Sequence, residues 1–394
     1  MGIPFAAALE RALHERRQAR CLRQRRTLTL ASPGYDMAGN DYLGLAHHPR
    51  VIEALAEGAR RYGAGSGASA LVTGQTDAHA RLEGLLAEWL GRSDALVFPS
   101  GFQANLAIHD ALLSSKDIVL GDRLNHASLL DGARLSGARL KRYAHLDMAA
   151  LERRLRADSA HEGRVAVASD GLFSMDGDTA PLPEMVSLCQ RHSALLIVDD
   201  AHGVWVMGKS GAGLAEAEGV GSEQEVPVLV GTLSKALGLQ GAFVAGSQLL
   251  IDTLVQFARP YVYTTSVSPA LAHAACTSVT MAREEPERRA QLTHNIAYFR
   301  AIAAQAGLPL TSSTSPIQPI IVGDIPTVMA MHAAAELRGF QIGAIRPPTV
   351  PEGTARLRIT LSAVQTDERL TELVDVLAAV WRKRCTVQRG GGPC

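Results

Sequence analysis

Between about residues 90 and 245, short apolar runs alternate with stretches whose apolar residues recur at helical spacing. The runs at 95–98, 117–120, 165–168, 195–198, 226–230 and 242–245 predict strands, and 103–113 and 182–192 predict helices between them. Continuous apolar runs, as opposed to alternating ones, belong to strands buried on both faces. The expected architecture is therefore α/β, a mostly parallel sheet covered by helices on each side. Near Pro269 the rhythm changes to a long helical stretch running to about Arg283. Beyond it come a strand at 319–322, a helix opening at Pro326, strands at 341–345 and 356–361, and a helix from Thr366 to about Lys383. Pro326 suits a first helical turn, where its missing N–H costs little. The pattern divides the chain into an N-terminal helix and arm (1–45), a large domain (46–285), a smaller C-terminal α+β domain (286–384) and a Gly-rich tail (385–394) expected to be disordered.

Composition narrows the function classes. The 39 basic and 39 acidic residues cancel, so no global charge points to nucleic acid or an anionic membrane as partner. No apolar run approaches the length of a membrane span. Five cysteines, at 21, 189, 276, 385 and 394, are scattered without a C-x-x-C pair, which fits a reducing compartment and neither a disulfide framework nor a zinc site. At the N-terminus Phe5, Leu9 and Leu13 recur every fourth residue among many arginines. An Arg-rich amphipathic start can be an organelle transit peptide, but Glu10 and Glu15 favour a surface helix of a cytoplasmic protein.

The chemistry gathers at predicted strand ends. Gly231-Thr232-Leu233-Ser234-Lys235 sets a lysine in a hydroxyl-rich loop after one strand. A lone loop lysine is usually just exposed, but the strand 195–198 ends in Asp199-Asp200-Ala201-His202-Gly203. A lysine that binds an aldehyde and a carboxylate that keeps a pyridine nitrogen protonated are the two halves of a pyridoxal 5′-phosphate (PLP) site. Successive strand residues face opposite ways, so only one aspartate can meet the ring, and Asp199 is the one expected, with His202 a short turn further on. Taken alone, Asp199 has the lesser competing reading of a helix cap or a sheet-edge salt bridge. Ser100-Gly101-Phe102 opens a helix after a strand, where free first-turn amides favour phosphate, with Thr232 as a further contact. Asn125-His126-Ala127-Ser128 and Phe173-Ser174-Met175-Asp176-Gly177 also follow strand ends, bringing His126 and Ser174 into reach of a cofactor. The glycine cluster at 63–69 lacks a Walker ending and sits in no strand-to-helix dinucleotide fingerprint.

Together with Asn40-Asp41-Tyr42-Leu43-Gly44-Leu45, these motifs resemble the α-oxoamine synthase group of fold-type I PLP enzymes over almost the whole chain. These enzymes join an amino acid to an acyl thioester with loss of carbon dioxide. The stretch Ala344-Ile345-Arg346-Pro347-Pro348-Thr349-Val350-Pro351, followed by Gly353-Thr354-Ala355-Arg356-Leu357-Arg358, is similar to the 8-amino-7-oxononanoate synthases within that group. The resemblance implies a seven-stranded-type sheet, a Schiff-base role for Lys235, pairing of Asp199 with the ring nitrogen, and stacking of His126 on the ring. It implies that Ser174 and His202 contact the 3′-oxygen side and that Gly101, Phe102 and Thr232 lie near the cofactor and its phosphate. Arg358 and Asn40 match positions that hold the amino-acid carboxylate, and Arg23 and Thr349 match substrate-contacting positions. A homodimer is implied, with L-alanine and a pimeloyl thioester as substrates, carried by coenzyme A or an acyl carrier protein. A glycine acetyltransferase or a serine palmitoyltransferase-like enzyme is the alternative within the group, and a catalytically inactive scaffold subunit the alternative outside it.

Overall fold

A computed structural model of the chain describes residues 5–18, 22, 25, 27, 35–347 and 349–389. A two-residue strand, β1 (Asp36–Met37), belongs to a smaller sheet. The larger sheet comprises β2 (Asp94–Phe98), β3 (Ile118–Asp122), β4 (Arg139–Tyr143), β5 (Val165–Asp170), β6 (Leu195–Asp199), β7 (Val228–Thr232) and β8 (Ala242–Gly246). Its order is β2–β8–β7–β6–β5–β3–β4, with only β8 antiparallel to its neighbours. The smaller sheet adds β9 (Ile317–Gly323), β10 (Gln341–Ile345) and β11 (Ala355–Thr360) in the order β1–β10–β11–β9.

The apolar runs do what the two-residue period of a strand requires. Leu196 and Val198 of β6 enter one core cluster and Ile197 the other; Leu229 of β7 enters the first, Val228 and Val230 the second. The first cluster continues without a break into the smaller sheet through Ile320, Leu357 and Ile359, and onto the last helix through Leu370 and Leu373. The second lies between the large sheet and the helix Gly101–Leu112, through Ala104, Ala107 and Ile108. Among the described residues no helix is long and apolar enough to cross a membrane.

Three differences from the sequence pattern have physical causes. The strand expected at 226–230 is displaced to Val228–Thr232, because Pro227 has no N–H for the ladder. The displacement brings Thr232 to the strand's carboxyl end. β4, Arg-Leu-Lys-Arg-Tyr, escapes an apolar-run search because it is an edge strand with exposed polar positions. The last helix runs from Asp367 to Arg389, so the expected disordered tail is corrected over 385–389: nothing in the sequence breaks a helix before Gly390. Residues 390–394 lie outside the described residues, as do 1–4, 19–21, 23, 24, 26, 28–34 and 348, Arg23 among them.

Candidate active site

A cavity of about 460 Å³ opens where the carboxyl ends of β5, β6 and β7 meet the smaller sheet. Its lining includes Lys235, Asp199, His126 and His202, with Gly101, Phe102 and Thr232 on the large-sheet side. Ser174, Asn40 and Arg358 complete it from the opposite side. A hollow of about 680 Å³ lies on the outer face of the last helix, but its lining of carboxylates with Arg338 offers neither a lysine nor a histidine. The smaller cavity therefore holds the chemistry.

Alternation along β6 turns Asp199 toward the helix Gly101–Leu112, whose Asn105 donates from Nδ2 to Asp199 Oδ2 at 2.6 Å and to Ser128 Oγ at 2.8 Å. Asp199 Oδ1 accepts from the Ala201 amide at 3.1 Å. Both oxygens are thus aimed, and Asp199 lines the cavity. Asp200 points the other way, fully buried, and its Oδ2 accepts from the Leu214 amide at 2.7 Å. The chain closes so tightly on that carboxylate that a Cβ at Gly213, where φ is +103°, would sit 2.2 Å from Oδ2. Burial pushes the Asp200 carboxyl up to about 7. Asp199 faces the site; Asp200 ties the chain beneath it.

Burial pulls the Lys235 ammonium down to about 8, with Asp199 opposing the drop and Arg358 adding to it. An amine near neutrality is what carbonyl capture and proton abstraction need. His202 lies with Nδ1 2.6 Å from the Tyr42 hydroxyl, and burial, followed by the nearby charges of Lys235 and Arg358, holds its pKa well below the ordinary histidine value. It is a neutral hydrogen-bonding group. His126 caps the helix Ala127–Leu135, with its Nδ1 2.7 Å from Ser128 Oγ and its amide donating to Asp170 Oδ2 at 2.6 Å. Its ring stands open to the cavity, edge-on to Phe102 at 6.5 Å.

On the facing side, β11 brings two arginines to one face of the strand. Arg358 Nε donates to the Ser174 carbonyl at 2.6 Å, Nη1 to Thr360 Oγ1 at 2.9 Å and Nη2 to Asn40 Oδ1 at 3.1 Å. Arg356 pairs with Asp176. At the other end of the cavity, Ser100 caps the helix Gly101–Leu112, and the first-turn amides of Gly101 and Phe102 have no helical acceptor. The hydroxyls of Thr232 and Ser234 sit 2.8 Å apart across from them. These residues fit PLP by their chemistry: a near-neutral lysine, an aimed carboxylate, a ring-sized face at His126, and an amide-and-hydroxyl cradle for phosphate.

Comparison with known proteins agrees. Residues 33–377 match the family Aminotransferase class I and II. The chain is 50% identical over 380 residues to the 8-amino-7-oxononanoate synthase of Chromohalobacter salexigens, covering 96% of this chain and 98% of that one. It is 54% identical over 349 residues to the synthase of Methylococcus capsulatus, covering 88% and 89%. The chain belongs to the 8-amino-7-oxononanoate synthase family. Members of this family are PLP-dependent acyltransferases, and the fold is that of the fold-type I PLP transferases. A Sphingomonas wittichii serine palmitoyltransferase structure superimposes with a TM-score of 0.91 at 29% identity, covering 98% of this chain and 100% of that one. The 8-amino-7-oxononanoate synthase structure from Francisella tularensis gives 0.78 at 28% identity, covering 90% and 99%.

Within this family member, the structure brings together all the expected site residues except two. Arg23 lies outside the described residues, and Thr349 is exposed beyond the cavity lining, its amide donating to the Arg346 carbonyl at 3.0 Å. Sequence reasoning passed over Asn105, which aims Asp199, and Asp170, which lines the cavity beside it in register on β5. Burial and then the Asp199 charge push the Asp170 carboxyl well above the ordinary carboxylate range. Its signal was present: β5 ends in Ser169-Asp170-Gly171, an apolar run closed by an acid and a glycine, as β6 ends in acids before Gly203. Trp205 was also missed. Its indole N–H donates to the Thr232 carbonyl at 3.2 Å while its ring stacks on Trp89 at 3.7 Å.

Proposed function

We propose that this protein condenses L-alanine with a pimeloyl thioester, with loss of carbon dioxide, to give 8-amino-7-oxononanoate and the free thiol carrier in biotin biosynthesis. The observation that carries the proposal is the placement of Lys235, Asp199 and Arg358 in one cavity of a chain half identical to 8-amino-7-oxononanoate synthases. PLP, when bound, supplies an electron sink for negative charge developing at the amino-acid Cα. Lys235 would hold the cofactor aldehyde covalently, and its near-neutral amine would serve as the base that takes the Cα proton. Asp199, fixed by Asn105 and the Ala201 amide, holds the proton on the ring nitrogen. His126 would cover one face of the bound ring, and His202 and Ser174 would serve its 3′-oxygen side. Arg358, with Asn40, takes the amino-acid carboxylate through parallel N–H donors. Arg23 and Thr349 match substrate-contacting positions of the family.

A homodimer and a cytoplasmic setting belong to the same proposal. The turn Ala70–Gly74 is tied through the Ser69 hydroxyl to the Val262 carbonyl at 2.9 Å. It leaves Leu71, Val72 and the nearby Tyr263 exposed, and that apolar surface supports a second copy as partner. The scattered cysteines support a reducing compartment. The fold similarity to serine palmitoyltransferase favours a second reading, a longer acyl donor with L-serine. Product analysis with L-alanine, glycine and L-serine against pimeloyl, acetyl and palmitoyl donors separates the two. Formation of 8-amino-7-oxononanoate with either pimeloyl carrier supports the proposal; a 3-ketosphinganine-type product from serine and the palmitoyl donor would overturn it.

A further inference from the structure

The segment that supplies Ser174 to the cavity is gripped from both sheets. From the smaller sheet, Arg358 Nε holds the Ser174 carbonyl at 2.6 Å, Arg356 pairs with Asp176, and Ser313 Oγ donates to the Gly177 carbonyl at 2.9 Å. From the larger sheet comes, among the described residues, one charged bridge. His145, just past β4, lies with Nδ1 2.9 Å from Asp122 Oδ1 and Nε2 2.9 Å from Asp178 Oδ2, its ring edge-on to Phe173 at 4.5 Å. It spans the end of β3, which runs between β4 and β5, to reach the loop that follows β5.

The surroundings of His145 are built for that span. Asp122 is fully buried at the end of β3 and also accepts from the Leu124 amide at 2.7 Å and the Leu146 amide at 2.9 Å. Leu146 is held at φ +54°, a left-handed conformation that a leucine rarely adopts, and the hydrogen bond its N–H donates to Asp122 Oδ2 keeps it there. Strain of this kind persists only where the neighbours over-determine it, and it marks segments whose position matters. A neutral apolar side chain at 145 could fill the space but could not donate to two carboxylates, one at the end of β3 and one in the loop that follows β5.

We propose that His145 is a positioning residue for the amino-acid end of this site: bridging Asp122 to Asp178, it fixes the 174–178 segment whose Ser174 carbonyl orients the Arg358 guanidinium. The inference rests on the reading of Arg358 as the group that takes the amino-acid carboxylate. Burial opposes a charge on His145, but hydrogen bonds to Asp122 and Asp178 prevail and raise its pKa to about 10, so the bridge carries two donors at neutral pH.

The test compares holoenzyme variants His145→Gln, Asp178→Asn and Arg358→Gln, with Arg164→Gln as control, since the Arg164–Asp117 pair lies at the opposite end of β3. Glutamine has a single donor group and cannot serve both carboxylates. Losing one charge-assisted bond from the bridge is expected to raise KM for the amino acid about tenfold while changing KM for the thioester less than about twofold. Hydrogen exchange at the amides of 174–178, read without substrate, should accelerate in His145→Gln and Asp178→Asn and not in the control. Equal changes in both KM values, or a lower Tm with neither KM changed, would overturn the proposal. If Arg358→Gln spares the amino-acid KM, the reading of Arg358 fails and this inference with it. If Arg358→Gln raises it and His145→Gln does not, only the inference fails. Should His145→Gln not fold, Asp178→Asn decides by the same criteria.

Discussion

Lys235 and the aspartate pair carry the sharpest predictions at the scale of single residues. Lys235→Ala removes both the seat for the aldehyde and the base, and turnover should fall by a factor of about 10³ or more with Tm little changed. Near-normal turnover would refute the assignment. The lowered pKa of Lys235 has its own signature. At pH 8 such an amine is about half neutral, where an ordinary lysine is less than about 1% neutral. Covalent capture of PLP by the cofactor-free protein should therefore accelerate through a midpoint near pH 8 and level off above it; stopped-flow absorbance measures this, and a midpoint above 10 would contradict it. Asp199→Asn keeps a hydrogen bond but no longer favours the protonated ring, which costs about 1.4–4 kcal/mol, or a rate factor of roughly 10 to 10³. Asp200→Asn should instead lower Tm through the Leu214 amide and leave kcat within about tenfold of wild type. The reverse ranking would mean the strand faces the other way. That only one of the two aspartates meets the site was legible through strand alternation, and His202 a short turn further on pointed to Asp199. Asn105 was not, because an asparagine inside a helix announces no partner until the fold sets Asp199 beside it.

At the scale of elements, buried strands were legible because both of their faces are apolar, and their ends because acids, glycines and hydroxyls interrupt them. The edge strand β4 lacks that signature, and the short β1 pairs only two residues with β10. β11 was legible as a strand, and the resemblance gave Arg358 a role, yet the partners of its two arginines were not legible. Arg356 and Arg358 act through partners some 180 residues earlier in the chain, Asp176 and Ser174, which no local pattern connects. The element-level expectation is that Arg356→Gln, which loosens the 174–178 segment without touching the carboxylate-binding fork, raises the amino-acid KM less than Arg358→Gln does. Steady-state kinetics with both substrates varied will rank the two. A larger effect from Arg356→Gln would place the carboxylate on the wrong arginine.

The whole molecule is joined by a core that runs from the large sheet into the smaller one, and by charged bridges across the cavity rim. The His145 bridge on the larger-sheet side sets a pH dependence of stability. The folded-state pKa of His145, about 10, lies above the ordinary value near 6.5. Its stabilisation is therefore complete below about pH 6.5 and is lost progressively as pH rises toward 10. The Tm difference between wild type and His145→Gln should shrink across that window; a difference constant from pH 6 to 10 would contradict the charged bridge. The central claim, however, concerns what the cavity joins. A pimeloyl donor buries several methylenes at about 0.8 kcal/mol each and adds a terminal carboxylate contact, both absent from an acetyl donor. The most direct measurement is a side-by-side determination of kcat/KM for pimeloyl, acetyl and palmitoyl thioesters with L-alanine, glycine and L-serine. The account predicts that pimeloyl with L-alanine exceeds acetyl with any amino acid by at least about 10³. Acetyl with glycine, or palmitoyl with L-serine, emerging as the preferred pair would contradict it.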